Sequence, residues 1–405
     1  QDYAKMKGKY GIGVIGYDIQ PIVLSCRHGV FSLVMNGNIA NLAEIVSELQ
    51  SQGSNFAEIQ ADSSISPAEV MAEIISKADS LEAGIESIFN RIRGSVSMLV
   101  LTRTGIYAAR DRTGHSALVV GESEDGYAVT TETTAFPNLK FNVIAELQPG
   151  EIVRLTENGI EKRKDGDLAA GHPCAFLWIY TGEPSSTYEG KSVEIARECC
   201  GRALARKDRV KADFVTGIPD SGIGHAVGYA QESGIPYKRP LVKYTPGYGR
   251  SYTPPSQEIR DLVATMKIIA VREVIRGNRM VVCDDSIVRG TQLKNFTIKK
   301  LWDNGAKEIH LRVACPPLMY PCIYGSSTRT KGELAARRAI RTLCGKDPES
   351  IAPYLNAKSK AYREMVEWIR NDLNVTSLKY LTIDEMIEAI GLPEKDLCLY
   401  CWRGC

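Results

Sequence analysis

The chain has 405 residues, enough for two domains with cores of their own and a tail. Its 50 Lys and Arg against 48 Asp and Glu leave a formal net charge of +2, so no global field points to nucleic acid or an acidic membrane as a partner, and any anion site must be local. No apolar run reaches the length of a bilayer span, residues 1–9 are not shaped like a signal peptide, and 11 cysteines are odd in number; a cytoplasmic protein with reduced or metal-bound thiols is expected.

Residues 10–155 carry short apolar runs broken by Gly and Asp, with helical stretches near 40–50 and 66–91, which predicts layered sheets and helices. The chain opens on Gln1 without an initiator Met, so an incomplete N-terminus is expected. The polar stretch 157–171 predicts a domain boundary, although a hairpin turn would read the same way. From Val193 the pattern changes to helix 191–207, strand 213–217, helix 222–233, strand 238–243, strand 279–283, helix 291–304 and strand 308–314. That alternation implies βαβ units and a parallel sheet. After Lys331 a mainly helical tail is expected, ending in a cysteine-rich segment; the domains divide as 1–170, 171–345 and 346–405.

The string Met280-Val-Val-Cys-Asp-Asp-Ser-Ile-Val-Arg-Gly-Thr291 is an apolar strand that delivers two carboxylates and then a loop opening a helix. At the carboxyl end of such a strand, Asp284 and Asp285 can accept from ribose hydroxyls or hold a divalent cation, while N–H groups from Ser286 to Thr291 can face a phosphate. Gly290 permits the close backbone approach. Cys283, inside the strand, reads as a small buried apolar residue.

Taken with the strings that follow, this one resembles the phosphoribosyl pyrophosphate (PRPP) signature of type I phosphoribosyltransferases, and in particular of the amidophosphoribosyltransferase family, the first committed enzymes of purine synthesis. Gly217-Ile-Pro-Asp-Ser-Gly222 is similar to that family's pyrophosphate-side loop, and Tyr248 to Arg260 to its closing lid and ammonia channel. The resemblance implies PRPP contacts from Asp284, Asp285, Ser286, Arg289, Gly290, Thr291, Asp220, Ser221, Lys243 and Arg250, with Mg²⁺ held by Ser221, Asp284 and Asp285. The implied reaction displaces pyrophosphate from PRPP by ammonia, giving 5-phosphoribosylamine.

A Cys398-x-x-Cys401 pair is by itself weak evidence for metal, and zinc, an iron–sulfur cluster or separate buried thiols all remain open on spacing alone. The family's iron–sulfur branch has ligand cysteines in contexts matching Cys174, Cys322, Cys398 and Cys401, which implies a [4Fe-4S] cluster. Cys26, Cys199, Cys200, Cys315, Cys344 and Cys405 have no such match and read as packing residues or free thiols.

The first half resembles the family's N-terminal-nucleophile glutaminase only in part. Asn36 and Gly37 match the oxyanion segment; Arg110 to Gly114, Thr131 to Ala135 and Gln148 to Glu151 match framework strings; Asp62 matches the residue that binds the glutamine amino group. The family begins with a nucleophilic Cys whose own amine is the base, whereas Gln1 opens this chain, Gly13 to Asp18 replaces the expected arginine-containing string, Met35 stands where the family has His, and the internal Cys26 has no free amine. Without a nucleophile, glutamine hydrolysis is not expected.

The fold class implied is α/β: a partial αββα glutaminase-like domain, a type I phosphoribosyltransferase parallel-sheet domain and a helical Cys-containing tail. Expected ligands are PRPP, ammonia or glutamine, and feedback purine nucleotides, with a homo-oligomer implied and neither nucleic acid nor membrane as a partner. The rival reading is a non-catalytic PRPP or nucleotide sensor that has lost its glutaminase. A phosphoribosyltransferase acting on a base would leave the first half and the four cysteines unexplained.

Overall fold

A computed structural model describes residues 7–16, 18–59, 65–244, 268–325, 330–348 and 350–404. The chain divides into two compact units, one of residues 1–174 with 322–326 and 395–398, the other of residues 175–321, 327–394 and 399–405. No helix among the described residues is long and apolar enough to cross a membrane.

The first unit is built on an antiparallel sheet of β1 (Ile22–Cys26), β2 (Gly29–Ile39), β3 (Gly94–Thr102), β4 (Gly105–Ala109), β8 (Ile152–Thr156) and β9 (Gly159–Lys164), in that order. A second sheet pairs β6 (Gly126–Thr130), β5 (Val119–Ser123) and β7 (Asn142–Glu146). The period of two along a strand feeds two cores: Tyr107 and Ala109 face Met71, Ile75, Ile85 and Ile88, while Ala108 lies with Leu118, Val120 and Leu155. The described residues thus give one helical layer and two sheets.

The expected helical run 66–91 is two helices, α2 (Pro67–Lys77) and α3 (Leu81–Arg91), after α1 (Leu42–Ser51). Ala78 is extended and the Ser80 hydroxyl accepts from the Ala83 N–H at 3.1 Å, so a fresh N-cap interrupts the run. The polar stretch 157–171 is largely a hairpin: β9 folds back on β8 through Gly159 at φ +128°, and Arg163 and Lys164 pair with Glu82 and Glu86. The units separate a few residues later, at Cys174 and Ala175.

The second unit holds a parallel sheet in the order β10 (Phe214–Gly217), β13 (Arg279–Asp284), β14 (Glu308–Val313) and β15 (Ser377–Tyr380). A separate antiparallel pair joins β11 (Leu241–Lys243) to β12 (Ile268–Ala270). Strand β15 adds one strand to the mainly helical tail, and Leu378 and its neighbours complete the sheet's edge. A run of four residues is too short to stand out between the helices α8 (Lys360–Leu373) and α9 (Ile383–Ile390).

Helix α4 (Val193–Arg206) lies on α5 (Gly222–Ser233) with the backbones touching. A Cβ on Gly201 would stand 1.9 Å from the His225 carbonyl oxygen, and one on Gly228 would stand 1.9 Å from that of Glu198. Beyond the C-terminus of α4, the buried Asp208 carboxylate accepts from Arg312, from Lys379 at 3.0 Å and from the Tyr229 hydroxyl at 2.9 Å, tying the helix pair to β14 and β15. These bonds hold the Asp208 carboxyl below its usual range although burial opposes them.

Two consequences are measurable. Gly228→Ala should lower the unfolding midpoint by about 5 °C or more, since the helices must separate to admit the methyl group. Burial pulls the His225 imidazole down to about 4. An unfolded His binds its proton near pH 6.5, so His225 lends full stability above that pH and loses it, to roughly 3 kcal/mol, as pH falls through 4. Unfolding midpoints across this window, with the His225 ring followed by NMR, check the claim; a ring that titrates near 6.5 would refute it.

Candidate functional site

The apolar run 280–283 is buried because a central parallel strand is covered on both faces, and it ends by carrying Asp284 and Asp285 to the sheet's carboxyl edge, 8 % and 6 % exposed. The Asp285 carboxylate accepts from the Ser221 and Ser286 hydroxyls, each at 2.5 Å, and its N–H donates to Asp284 Oδ1 at 3.1 Å. Burial, reinforced by the charge of its neighbour, pushes Asp284 well above the carboxylate range; burial also raises Asp285, against the two hydroxyls and the Arg197 charge. Two crowded acidic side chains with hydroxyls beside them are hard oxygen donors suited to a hard divalent cation, so Ser221, Asp284 and Asp285 fit Mg²⁺ by chemistry.

The loop 217–222 presses against this strand end. The Ile218 N–H donates to the Cys283 carbonyl at 2.9 Å, and a Cβ on Gly222 would meet the same oxygen at 2.4 Å, so Ser221 is set by backbone contact. The Pro219–Asp220 peptide bond is cis, and Asp220 pairs with Lys243 at 2.5 Å, both partly exposed. After Asp285 the chain turns through Gly290 at φ +76°, and the N–H groups from Ser286 to Gly290 have no hydrogen-bond partner among the described residues. Five such groups in a row form an anion cradle ahead of a helix. Arg289 pairs with Glu333 at 3.2 Å, and Thr291 is exposed at the helix start.

Arg197 is the residue that sequence reasoning missed. It lies on the buried face of α4, 2 % exposed, and donates to the carbonyls of Trp178 at 3.0 Å, Tyr180 at 3.0 Å and Gly182 at 2.7 Å. Its Cβ packs so close to Gly224 that a Cβ there would be 2.9 Å away, which seats it against the first turn of α5 behind Ser221. A guanidinium on the apolar stripe of a helix was the available signal.

In the first unit, Asn36 and Gly37 are exposed on β2 opposite Ser97 and Val96. Gly37, at φ +144°, has no room for a Cβ, which would stand 1.8 Å from the Ser95 oxygen. Met35 is buried, and its N–H donates to Gln20 Oε1 at 2.7 Å. The framework string from Arg110 to Gly114 is a structural knot: Arg110 donates to the carbonyls of Ser116, Gly114 and Leu147, and Asp111 accepts from Thr113, His115 and Ser116.

Cys174 and Cys398 lie side by side on a parallel bridge, the Cys398 N–H donating to the Pro173 oxygen at 2.9 Å, and Cys322 belongs to the same compact unit. In the second unit the Cys401 carbonyl accepts from the N–H groups of Met319 and Tyr320. All four thiols are half-buried. Soft thiolates suit an iron–sulfur cluster, but among the described residues no three His, Cys, Asp or Glu side chains are grouped to hold a metal. Cys200, Cys283 and Cys315 are buried, in keeping with packing, whereas Cys344 is exposed. Asp62, the segment Tyr248 to Arg260 with Arg250, and Cys405 lie outside the described residues.

The two units define a glutaminase-type domain of the N-terminal-nucleophile class joined to a type I phosphoribosyltransferase domain. Residues 12–138 match the family described as a glutamine amidotransferase domain. The chain is 32 % identical to the amidophosphoribosyltransferase of Bacillus subtilis over 100 % of its own length and 81 % of that protein's, and 32 % identical to that of Archaeoglobus fulgidus over 99 % and 84 %. It is similar to the solved structure of the allosteric regulatory enzyme of purine biosynthesis, with a TM-score of 0.79 and 31 % identity over 96 % of this chain and 78 % of that one. The B. subtilis glutamine PRPP amidotransferase complexed with ADP and GMP superposes with a TM-score of 0.78 and 32 % identity over 99 % and 84 %. This chain belongs to the amidophosphoribosyltransferase family.

The Ser221 contact is open to test. Ser221→Ala should leave the unfolding midpoint within about 2 °C while weakening Mg²⁺-dependent PRPP binding roughly tenfold, as read by calorimetry.

Proposed function

We propose that this chain is an enzyme that forms 5-phosphoribosylamine and pyrophosphate from PRPP and ammonia, the ammonia being free or derived from glutamine. The observation that carries this reading is the row of unpartnered N–H groups from Ser286 to Gly290, set directly after two buried carboxylates at the sheet's carboxyl edge. The row suits the 5-phosphate, Asp284 and Asp285 suit the ribose hydroxyls, and Lys243 with Asp220 suits the pyrophosphate side. When bound, Mg²⁺ would supply charge neutralisation for the leaving pyrophosphate. Ser221 and Ser286 hold the Asp285 carboxylate in a fixed orientation, and the closely packed α4 and α5 keep Ser221 in place.

Pyrophosphate release with ammonium as the nitrogen donor isolates the phosphoribosyl half from the glutaminase. Turnover at saturating PRPP and Mg²⁺ is expected. Asp284→Ala and Asp285→Ala should each abolish PRPP binding with the fold retained by circular dichroism. Tight PRPP binding without any pyrophosphate release would favour the sensor instead.

A [4Fe-4S] cluster on Cys174, Cys322, Cys398 and Cys401 is part of the same proposal, supported by the paired Cys174 and Cys398. No step of the transfer depends on it. Anaerobic purification should return close to four iron and four sulfide per chain, and Cys398→Ser should remove both; zinc in their place would overturn the assignment. Feedback by purine nucleotides, a homo-oligomeric state and a cytoplasmic location complete the proposed picture.

A further inference from the structure

Apart from the carboxylate pair, the second unit contains a cleft of about 310 Å³ between the C-terminal end of α4, the first half of α8, strand β15 and the start of α9. Its volume is at the lower end of small-molecule sites. Leu204, Val366 and Leu378 give it an apolar lining. Tyr362, Arg363 and Tyr380 also line it, and among the described residues neither phenol nor the guanidinium has a hydrogen-bond or ion-pair partner. Burial raises both phenols above their ordinary range, with no hydrogen bond to offset it.

The other charged groups lining the cleft are already paired. Lys207 pairs with Glu385 at 2.5 Å, Lys379 with Asp208 at 3.0 Å, and Glu367 with Arg370 at 2.6 Å. What remains uncommitted is donor capacity and one positive charge. The position also suits a ligand, since Tyr380 is in register with Val313, and Val313 with Asp284, which puts the cleft along the carboxyl edge of the same sheet.

We propose that this cleft is a second small-molecule site, for an organic anion with a compact apolar body, whose carboxylate or phosphate accepts from Arg363, Tyr362 and Tyr380. Titration calorimetry on the full chain with benzoate, phenyl phosphate and neutral benzamide tests it. Saturable binding of benzoate or phenyl phosphate is expected, the better of the two naming the anion, with benzamide at least about tenfold weaker. Arg363→Ala, on the exposed side of α8, and the near-isosteric Tyr380→Phe should each weaken the anion about tenfold with circular dichroism unchanged. Failure of both anions to saturate, equal binding of benzamide, or undiminished binding by both variants would overturn the proposal.

Discussion

Two carboxylates side by side, buried at the end of a central strand, are the constraint around which the second unit is organised. Such a pair is costly without compensation, because burial and mutual repulsion both disfavour the ionised form. The fold supplies partial compensation through Ser221, Ser286 and the field of the buried Arg197. The remaining imbalance is what a cation and ribose hydroxyls can relieve, so the site is unfavourable alone and favourable when filled.

The compensation reaches well beyond the first contacts. Ser221 is held by Gly222 against the strand, Gly224 admits Arg197, and Gly201 and Gly228 let α4 and α5 meet backbone to backbone. Arg197 in turn clamps the carbonyls of residues 178, 180 and 182. One chain of contacts therefore runs from the carboxylate through a hydroxyl, a helix turn and a guanidinium to the segment that follows the unit boundary.

Much of this was legible in the sequence because it is local. The apolar run before Asp284, the Gly and Ser that follow, and the alternation of strands with helices all follow from short-range rules, and helix α5 falls where its pattern predicts. The misses are long-range. Strand β15 is defined by pairing with β14, some 65 residues earlier, and its four residues carry no pattern of their own. The polar stretch 157–171 reads equally as a linker or a hairpin turn, because the partners of Arg163 and Lys164 are on α3, which sequence cannot place. Arg197 was hidden because its partners are carbonyl oxygens rather than acidic side chains. In the first unit, Asn36 and Gly37 lie on β2, and Met35 beside them fills a buried position with an apolar side chain.

The late arrival of β15 has a bearing on synthesis. The sheet's central strands emerge from the ribosome well before their edge partner, and in the interval the outer edge of β14, which carries Arg312, lacks its strand partner. An exposed strand edge is a hazard for association with other nascent chains. Charged side chains beside an open edge make it a poor template for a stray strand, and the Arg312 and Asp208 pair stands beside this one.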